Sequence, residues 1–284
     1  ILFVYKKGTE EVDYYRDFDD SYEDTDQDVK LNIAMFTNNY LPFVGGVPIS
    51  IERLSRGLRK QGHQVYIFAP EYPEEYHDEQ DNVVRCKLIT YYETNQFDFP
   101  IVNVFLPEIE KEFVARNIDI VHVHHPFGIG HKGLKLANKH HIPSVLTYHT
   151  RYEKYAHNLP VGSEFFKSKI PHKIIRSFAQ KCDGIIAPTQ SAKEYLEHIG
   201  VIRPIAVLPT GIELEDYKEI LVEEVEKIRN KYSTDREVIL CTVSRITKEK
   251  NLYFLVEGMK YVKDHCSKRF KCIIIGDGPE RQGL

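Results

Sequence analysis

The sequence predicts an α/β chain in which mainly parallel sheets carry helices on both faces, in two doubly wound units of which the second is only begun. Three observations carry this. From Leu31 onward, short apolar runs alternate with amphipathic stretches of helical length. The runs are apolar enough to be buried on both sides. Polar loops or loops rich in glycine and proline follow several of them.

Leu31–Phe36 reads as a buried strand, followed by the loop Leu41–Pro48 and a helix over Ile49–Gln61 that ends at Gly62. Gln64–Ala69 is a second strand and Val83–Leu88 a third. Pro107–Asn117 is a helix feeding the strand Ile118–Val123. Lys132–His140 is a helix, Ser144–Tyr148 a strand, and Phe165–Lys181 a helix. Gly184–Ala187 and Ile205–Leu208 are short strands on either side of the helix Ser191–Ile199. A second unit starts near Pro209. It holds a charged helix over Leu214–Lys231, a strand Val238–Val243, a helix Leu252–His265 and a strand Lys271–Ile275 that runs into Gly276-Asp277-Gly278-Pro279. Two strand–helix units do not make a self-sufficient doubly wound domain. The expected organisation is therefore a leader or linker over 1–30, a first unit over 31–208 and a partial second unit over 209–284.

With 284 residues, 42% hydrophobic and 12% aromatic, the chain has enough apolar mass for one large or two modest cores. That composition excludes a disordered polymer, a collagen and a disulfide-stapled miniprotein. No apolar run approaches the roughly 18 residues that a transmembrane helix requires. The five cysteines are scattered and form no C-x-x-C pair, which fits buried thiols in a reducing, cytoplasmic setting better than a zinc site. Residues 1–30 hold ten acidic and four basic residues, so residues 31–284 carry +2 (34 basic against 32 acidic) of the overall −4. The acidic leader reads as a solvated arm or linker, although Ile1–Tyr5 and the pair Tyr14-Tyr15 have the composition of an added strand. No concentrated basic stripe is present, so nucleic acid is not expected as a partner.

Four local patterns carry chemistry. Gly45-Gly46, after the first strand and before a helix, lets a backbone approach an anion at free N–H groups; the plainer reading is a tight loop. Its spacing is not that of a dinucleotide fingerprint. Eight of the 13 histidines lie between positions 122 and 157. His122 and His124 share one side at a strand end and His149 ends the next strand, where histidine serves as acid, base, hydrogen-bond group or metal ligand. No Asp or Glu completes a metal set until Glu153, and at least half of the cluster reads as structural packing. Arg245 and Lys250, five apart after a buried strand, can converge on a diphosphate, one as a fork and one as a point charge. The segment Glu164–Lys181 interleaves aromatic and aliphatic residues with five basic ones, a pattern of helices that lie on anionic bilayers and, more commonly, of helices that pack on a sheet.

Seven stretches, in order over about residues 31–280, resemble the retaining glycosyltransferases of family 4: Asn39-Tyr40-Leu41-Pro42 with Gly45-Gly46-Val47, Asp119–Pro126, Thr147–Thr150, Ala187–Ser191, Pro209–Ile212, Ser244-Arg245 with Glu249-Lys250-Asn251, and Gly276–Pro279. The run Tyr148–Tyr155 looks most like members that glycosylate diacylglycerol or related lipids. The resemblance implies the GT-B fold, two Rossmann-like domains with the second truncated in this chain. It implies transfer of a hexose, UDP-glucose being the favoured donor, to a lipid or carbohydrate acceptor with retention and without a metal or other cofactor. His124, Arg245 and Lys250 would be catalytic. Gly45, Gly46, Arg245, Lys250, Gly276 and Gly278 would hold the donor diphosphate, Tyr148 and His149 would shape the acceptor side, and Thr210-Gly211 would form the interdomain hinge. The enzyme would be cytoplasmic and peripheral on the inner face of an anionic membrane. The family's paired-glutamate motif lies beyond the Gly-x-Gly-Pro strand and Leu284 precedes it, so the expectation is either continuation past Leu284 or inactivity of this piece alone. The acidic leader is also outside the family pattern. Two other readings stay open at this level: a metal-dependent hydrolase using His122 and His124, and a non-catalytic sugar-nucleotide-binding module.

Overall fold

The computed structural model describes residues 29–43, 45–72, 78, 82–93, 98–150, 164–214, 221–233 and 237–284. The leader apart from Val29 and Lys30, Val44, and the Arg151–Tyr155 part of the lipid-enzyme likeness lie outside them. Eleven strands are present among the described residues: β1 (Asn32–Phe36), β2 (Gln64–Pro70), β3 (Val83–Cys86), β4 (Leu88–Glu93), β5 (Asp98–Val102), β6 (Ile120–Val123), β7 (Ser144–Thr147), β8 (Gly184–Ala187), β9 (Ile205–Val207), β10 (Val238–Val243) and β11 (Phe270–Ile275). The helices are α1 (Gly46–Lys60), α2 (Pro107–Ala115), α3 (Ile129–His140), α4 (Glu164–Ala179), α5 (Gln190–His198), α6 (Val222–Tyr232) and α7 (Leu252–His265), with a 3₁₀ turn at Lys248–Lys250.

Seven strands form one sheet in the order β3-β2-β1-β6-β7-β8-β9, every pair parallel. The order runs outward from β1 in one direction and from β6 in the other, so the reversal falls between β1 and β6. In such sheets ligands bind beyond the carboxyl ends of the strands at this reversal. β10 and β11 pair in parallel in a separate sheet.

Because both faces are covered, alternate residues of one strand enter different cores. Ile33 and Met35 of β1 pack with Ile51 of α1, Val65 and Ile67. Ala34 and Phe36 point the other way, into the larger core with Phe68, Phe113, Leu146 and Ile185. The Phe36 ring stacks on Phe68 with centroids 4.5 Å apart, and Phe113 tilts against both. Two aspartates fasten the opposite edge of the sheet. Asp119 accepts the Asn32 N–H at 2.7 Å, and Asp183 accepts the Ser144 N–H at 2.8 Å, so each ties the start of a neighbouring strand.

The sequence reading misses one element and displaces three. β4 and β5 form an antiparallel hairpin apart from the main sheet. The third strand, read through Leu88, breaks at Lys87. α1 begins at Gly46 because Pro48 is accommodated in a first turn, where a missing N–H costs nothing. α3 begins at Ile129 rather than Lys132, since Gly130 and Gly133 weaken the helical signal. Both glycines are there for packing. A Cβ on Gly130 would lie 1.9 Å from the His125 carbonyl oxygen, and one on Gly133 would lie 2.5 Å from the Phe36 ring. Helix α6 is described only from Val222.

Gly130→Ala should therefore cost about 3 kcal/mol or more, as overpacking against backbone does. Gly46→Ala, whose Cβ would meet nothing within 4 Å, should change stability by less than about 1 kcal/mol. Urea-unfolding midpoints of the two variants check the contrast.

Candidate active site

The carboxyl end of β1 continues into Thr37 and Asn38, both buried. Asn38 acts as a staple across the reversal point. Its Nδ2 donates to the Phe127 carbonyl at 3.1 Å and its Oδ1 accepts the Ile129 N–H at 3.0 Å. The first donor of α3 is thereby satisfied by a side chain from β1 rather than by its own N-cap, Gly128, which adopts φ +58°. The Asn38 N–H donates to His125 Nδ1 at 3.2 Å, so that nitrogen is an acceptor. The next stretch of the loop is held by Arg85 of β3. Its guanidinium donates to the Leu41 carbonyl at 2.6 Å and forks onto Asp78 at 2.5 and 2.8 Å, beside the rings of Tyr40 and Tyr72. The Tyr40 hydroxyl donates to Glu52 of α1. These ties deliver Gly45 as the N-cap of α1, with Gly46 exposed behind it.

β6 delivers the histidines. The His124 N–H donates to the Phe36 carbonyl at 3.0 Å, which continues the β1–β6 ladder by one step. His124 Nδ1 and His149 Nε2 are 2.9 Å apart and share one proton in a hydrogen bond. His122 Nε2 is bonded to the Thr147 hydroxyl at 2.6 Å, and its ring lies 4.2 Å from that of His124, centroid to centroid. Burial pushes the His122 and His125 imidazoles down to about 3, with His149 adding repulsion, and burial alone pushes His149 down to about 4. His124 is held well below the ordinary histidine range by burial and then by its three histidine neighbours. All four are neutral at physiological pH. His124 is 1% exposed, and its Nε2 has no hydrogen-bond partner among the described residues; nor does the buried Asn39 Oδ1 of the adjoining loop. Buried polar atoms without partners are uncommon, and here two of them sit where an α/β sheet receives its ligand.

Tyr148 faces away from this group. It is 2% exposed in the larger core, with its ring stacked 5.8 Å from Tyr195 of α5. Its neighbour His149 points to the histidine group because successive side chains of an extended segment alternate. The acceptor-side expectation thus finds His149 at the site and Tyr148 in packing.

Arg245 and Lys250 lie in the loop after β10, both exposed, with Arg245 paired to Glu249 at 3.2 Å. The loops after β10 and β11 are bonded together: Ile246 N–H donates to the Asp277 carbonyl at 2.8 Å, and Glu280 N–H to the Ile246 carbonyl at 3.1 Å. Gly276 and Gly278 permit that contact, since a Cβ would come within 1.9 Å of the Ser244 carbonyl oxygen or 2.2 Å of that of Ile246. Arg245, Lys250, Gly276 and Gly278 therefore share the carboxyl end of the β10–β11 sheet. Thr210 and Gly211, the expected hinge, lie along α1, where Arg53 donates to the Gly211 carbonyl at 3.2 Å and Arg56 pairs with Glu213 at 3.6 Å.

Among the described residues, no group of three or more His, Cys, Asp or Glu is arranged to hold a metal ion. The imidazoles bond to one another, to Thr147 and to the Asn38 backbone instead of converging on a point. Also among the described residues, no helix is long and apolar enough to cross a membrane.

Residues 44–216 match the family Glycosyltransferase Family 4. The chain belongs to that family. Among its relatives are the alpha-monoglucosyldiacylglycerol synthases of Streptococcus pneumoniae, 32% identical over 88% of this chain, and of Acholeplasma laidlawii, 29% identical over 89%. The family 4 chain described here spans 56% and 65% of the lengths of those relatives. A GDP-mannose-dependent alpha-mannosyltransferase of Mycolicibacterium smegmatis is 25% identical over 89% of this chain. Solved structures give the fold. TarM superposes with a TM-score of 0.63 at 11% identity, over 91% of this chain and 74% of its own. Anabaena HepE in complex with UDP-glucose superposes with a TM-score of 0.59 at 13% identity, over 87% and 61%. The fold of this family 4 chain is accordingly the α/β GT-B type.

Neutral burial of the family 4 histidines makes stability depend on pH with a definite sign. Their folded-state values near 3 to 4 lie below the unfolded value of about 6.5, so the unfolded chain binds more protons between those limits. Stability is full above about pH 6.5 and is lost as pH falls through the window, by up to roughly 1.4 kcal/mol per pH unit for each histidine. Urea midpoints at about pH 7 and about pH 5 measure the loss, and His149→Gln should reduce the slope by one histidine's share.

Proposed function

We propose that the chain is part of a retaining hexosyltransferase that moves glucose from UDP-glucose to a lipid acceptor, with diacylglycerol the favoured one. The observation that carries the reading is the pair of buried, unpartnered polar atoms, His124 Nε2 and Asn39 Oδ1, at the strand-order reversal of a family 4 chain. Relatives named as alpha-monoglucosyldiacylglycerol synthases support the donor sugar and acceptor. UDP-glucose carries an α-linked glucose, so an alpha-linked product corresponds to retention.

In this reading the bond between the sugar C1 and the phosphate oxygen breaks with its electron pair leaving on the diphosphate. The acceptor hydroxyl oxygen bonds to C1 from the same face, and its proton passes to the leaving phosphate oxygen. Arg245 and Lys250 offset the charge that develops on that phosphate, a role that needs no divalent ion. The backbone N–H groups at the start of α1, next to Gly45 and Gly46, offer the diphosphate further donors. His124 does not take up the proton, because burial among three other imidazoles keeps it neutral. It acts as a neutral hydrogen-bonding group toward the donor sugar. Gly276 and Gly278 contribute by bringing the loop after β11 against the Arg245 loop. Lys173, Ile174 and Arg176, all exposed on α4, are suited to contact with an anionic cytoplasmic membrane surface.

The test is nucleotide release by the full-length protein supplied with UDP-glucose, with and without diacylglycerol vesicles, in EDTA. Lipid-dependent release should persist in EDTA and fall about 10²-fold in His124→Ala and in Arg245→Ala, the usual cost of losing one preorganised donor in a dry site. Release that required a divalent ion would remove the metal-independent mechanism, and release without lipid would move the acceptor to a soluble compound.

A further inference from the structure

The hydrogen bond between His124 and His149 has a consequence for which proton His124 shows to its ligand. A neutral imidazole carries one N–H, on either nitrogen, and the partner of one nitrogen decides the state of the other. His124 Nδ1 faces His149 Nε2 at 2.9 Å, and no other partner of that nitrogen is described. The opposite nitrogen, Nε2, is the buried atom without a partner. If His149 donates, His124 Nε2 must be N–H; if His124 donates, Nε2 is a bare lone pair.

We propose that His149 is a positioning residue that donates its Nε2–H to His124 Nδ1 and so fixes His124 as the tautomer whose Nε2–H points at an oxygen of the bound sugar nucleotide. Three observations support this direction. Every oxygen on a sugar or phosphate accepts a hydrogen bond, whereas only hydroxyls can also donate, so an N–H serves whichever oxygen is presented. With the proton on Nε2, the Nδ1 of His149 is the bare nitrogen, and His149 is the less enclosed of the pair, half-buried where His124 is buried, so the bare nitrogen falls on the residue nearer to solvent. The ring of His124 is clamped between His122, at 4.2 Å, and His149, at 5.1 Å, so it is oriented by stacking and needs only its proton assigned. His122 does not compete for Nδ1, because its own Nε2 is engaged by the Thr147 hydroxyl. His149 thus acts on the substrate through His124, which refines the expectation that it shapes the acceptor side.

The identity of the oxygen rests on the glycosyltransferase reading; the tautomer does not, and it is measured without turnover. Long-range ¹H–¹⁵N correlation spectra of the chain labelled at histidine distinguish protonated from bare ring nitrogens, with His124→Gln assigning the signals. His124 should show a protonated Nε2 and a bare Nδ1 in the unmodified protein. In His149→Gln, whose amide N–H takes the place of the imidazole donor, that pattern should persist. In His149→Leu it should collapse to a mixture of tautomers. With UDP-glucose as the probe in the full-length enzyme, turnover should then fall about tenfold in His149→Leu and recover in His149→Gln, with KM unchanged. A protonated Nδ1 on His124 in the unmodified protein overturns the proposal whether or not the His149 variants fold. An unchanged His124 pattern in folded His149→Leu overturns it as well. Absent turnover accompanied by the expected tautomer would count against the glycosyltransferase reading alone.

Discussion

Where the strand order reverses, two neighbouring strands continue into loops that lead to opposite faces of the sheet, and something has to hold those loops in register. In this chain the task falls to Asn38. One carboxamide bonds to both sides of the bend before α3, at the Phe127 carbonyl and the Ile129 N–H, while its own backbone N–H bonds to His125. A buried amide that is satisfied at both ends costs little to desolve and tolerates few alternative positions. The placement of His124 follows from it, because His124 adds the last ladder bond, to Phe36, immediately before this staple. The position of α3 follows too, with Gly130 pressed against the His125 carbonyl at a distance that only a hydrogen can fill.

The histidine group depends on that packing for its chemistry. Four imidazoles this close would repel one another if charged, and their burial removes the water that would otherwise stabilise the cations. They are consequently neutral, which changes what they can do. A charged histidine would be a sink or source of protons. A neutral one in a rigid stack is a directional hydrogen-bonding group whose polarity is set by its neighbours. The charge needed to stabilise a departing diphosphate has to come from elsewhere, and the chain carries its candidates for that role, Arg245 and Lys250, on the exposed loop after β10.

Much of this was readable in the sequence, and the boundary between legible and illegible has a physical basis. Strands of the covered sheet read directly, so β1, β2 and β8 fall where the apolar runs lie, and β10, although largely exposed, is marked by an apolar run as well. The hairpin β4–β5 escaped because its residues, mixed aromatic, polar and proline, follow neither the helical period nor the signature of a buried strand. The start of α3 escaped because glycine is a poor helix former, and its value there lies in a contact with a residue of another strand. Of the candidate site residues, the meeting of His124 with His149 was legible from strand-end position, and the shared loop of Arg245 and Lys250 from spacing. Asn38 and Arg85 were not, since Asn38 bonds to partners 87 to 91 residues away and Arg85 reaches Leu41, 44 residues away, and no local pattern marks a staple of that reach. Tyr148 sits inside a recognisable motif, but the two-residue alternation of an extended segment sends its ring to the core and its neighbour His149 to the histidine group.

The described histidines between positions 122 and 149 lie in different surroundings. His122 and His124 project to the same side of β6, His125 turns to the Asn38 backbone, His131 lies on α3 beside Phe178, and His140 reaches Glu110. His122, His125, His131 and His140 are each committed to a structural partner or a packed ring, whereas His124 keeps a buried nitrogen uncommitted among the described residues. That single uncommitted atom costs stability in the isolated chain, by about 1–3 kcal/mol for an unsatisfied buried group. A fold that could have closed the position with another hydroxyl, as Thr147 does for His122, instead leaves it without a partner among the described residues. The arrangement is stable only because the surrounding core over-determines the position of the ring, and it is that rigidity which would let one hydrogen bond discriminate the orientation of a sugar.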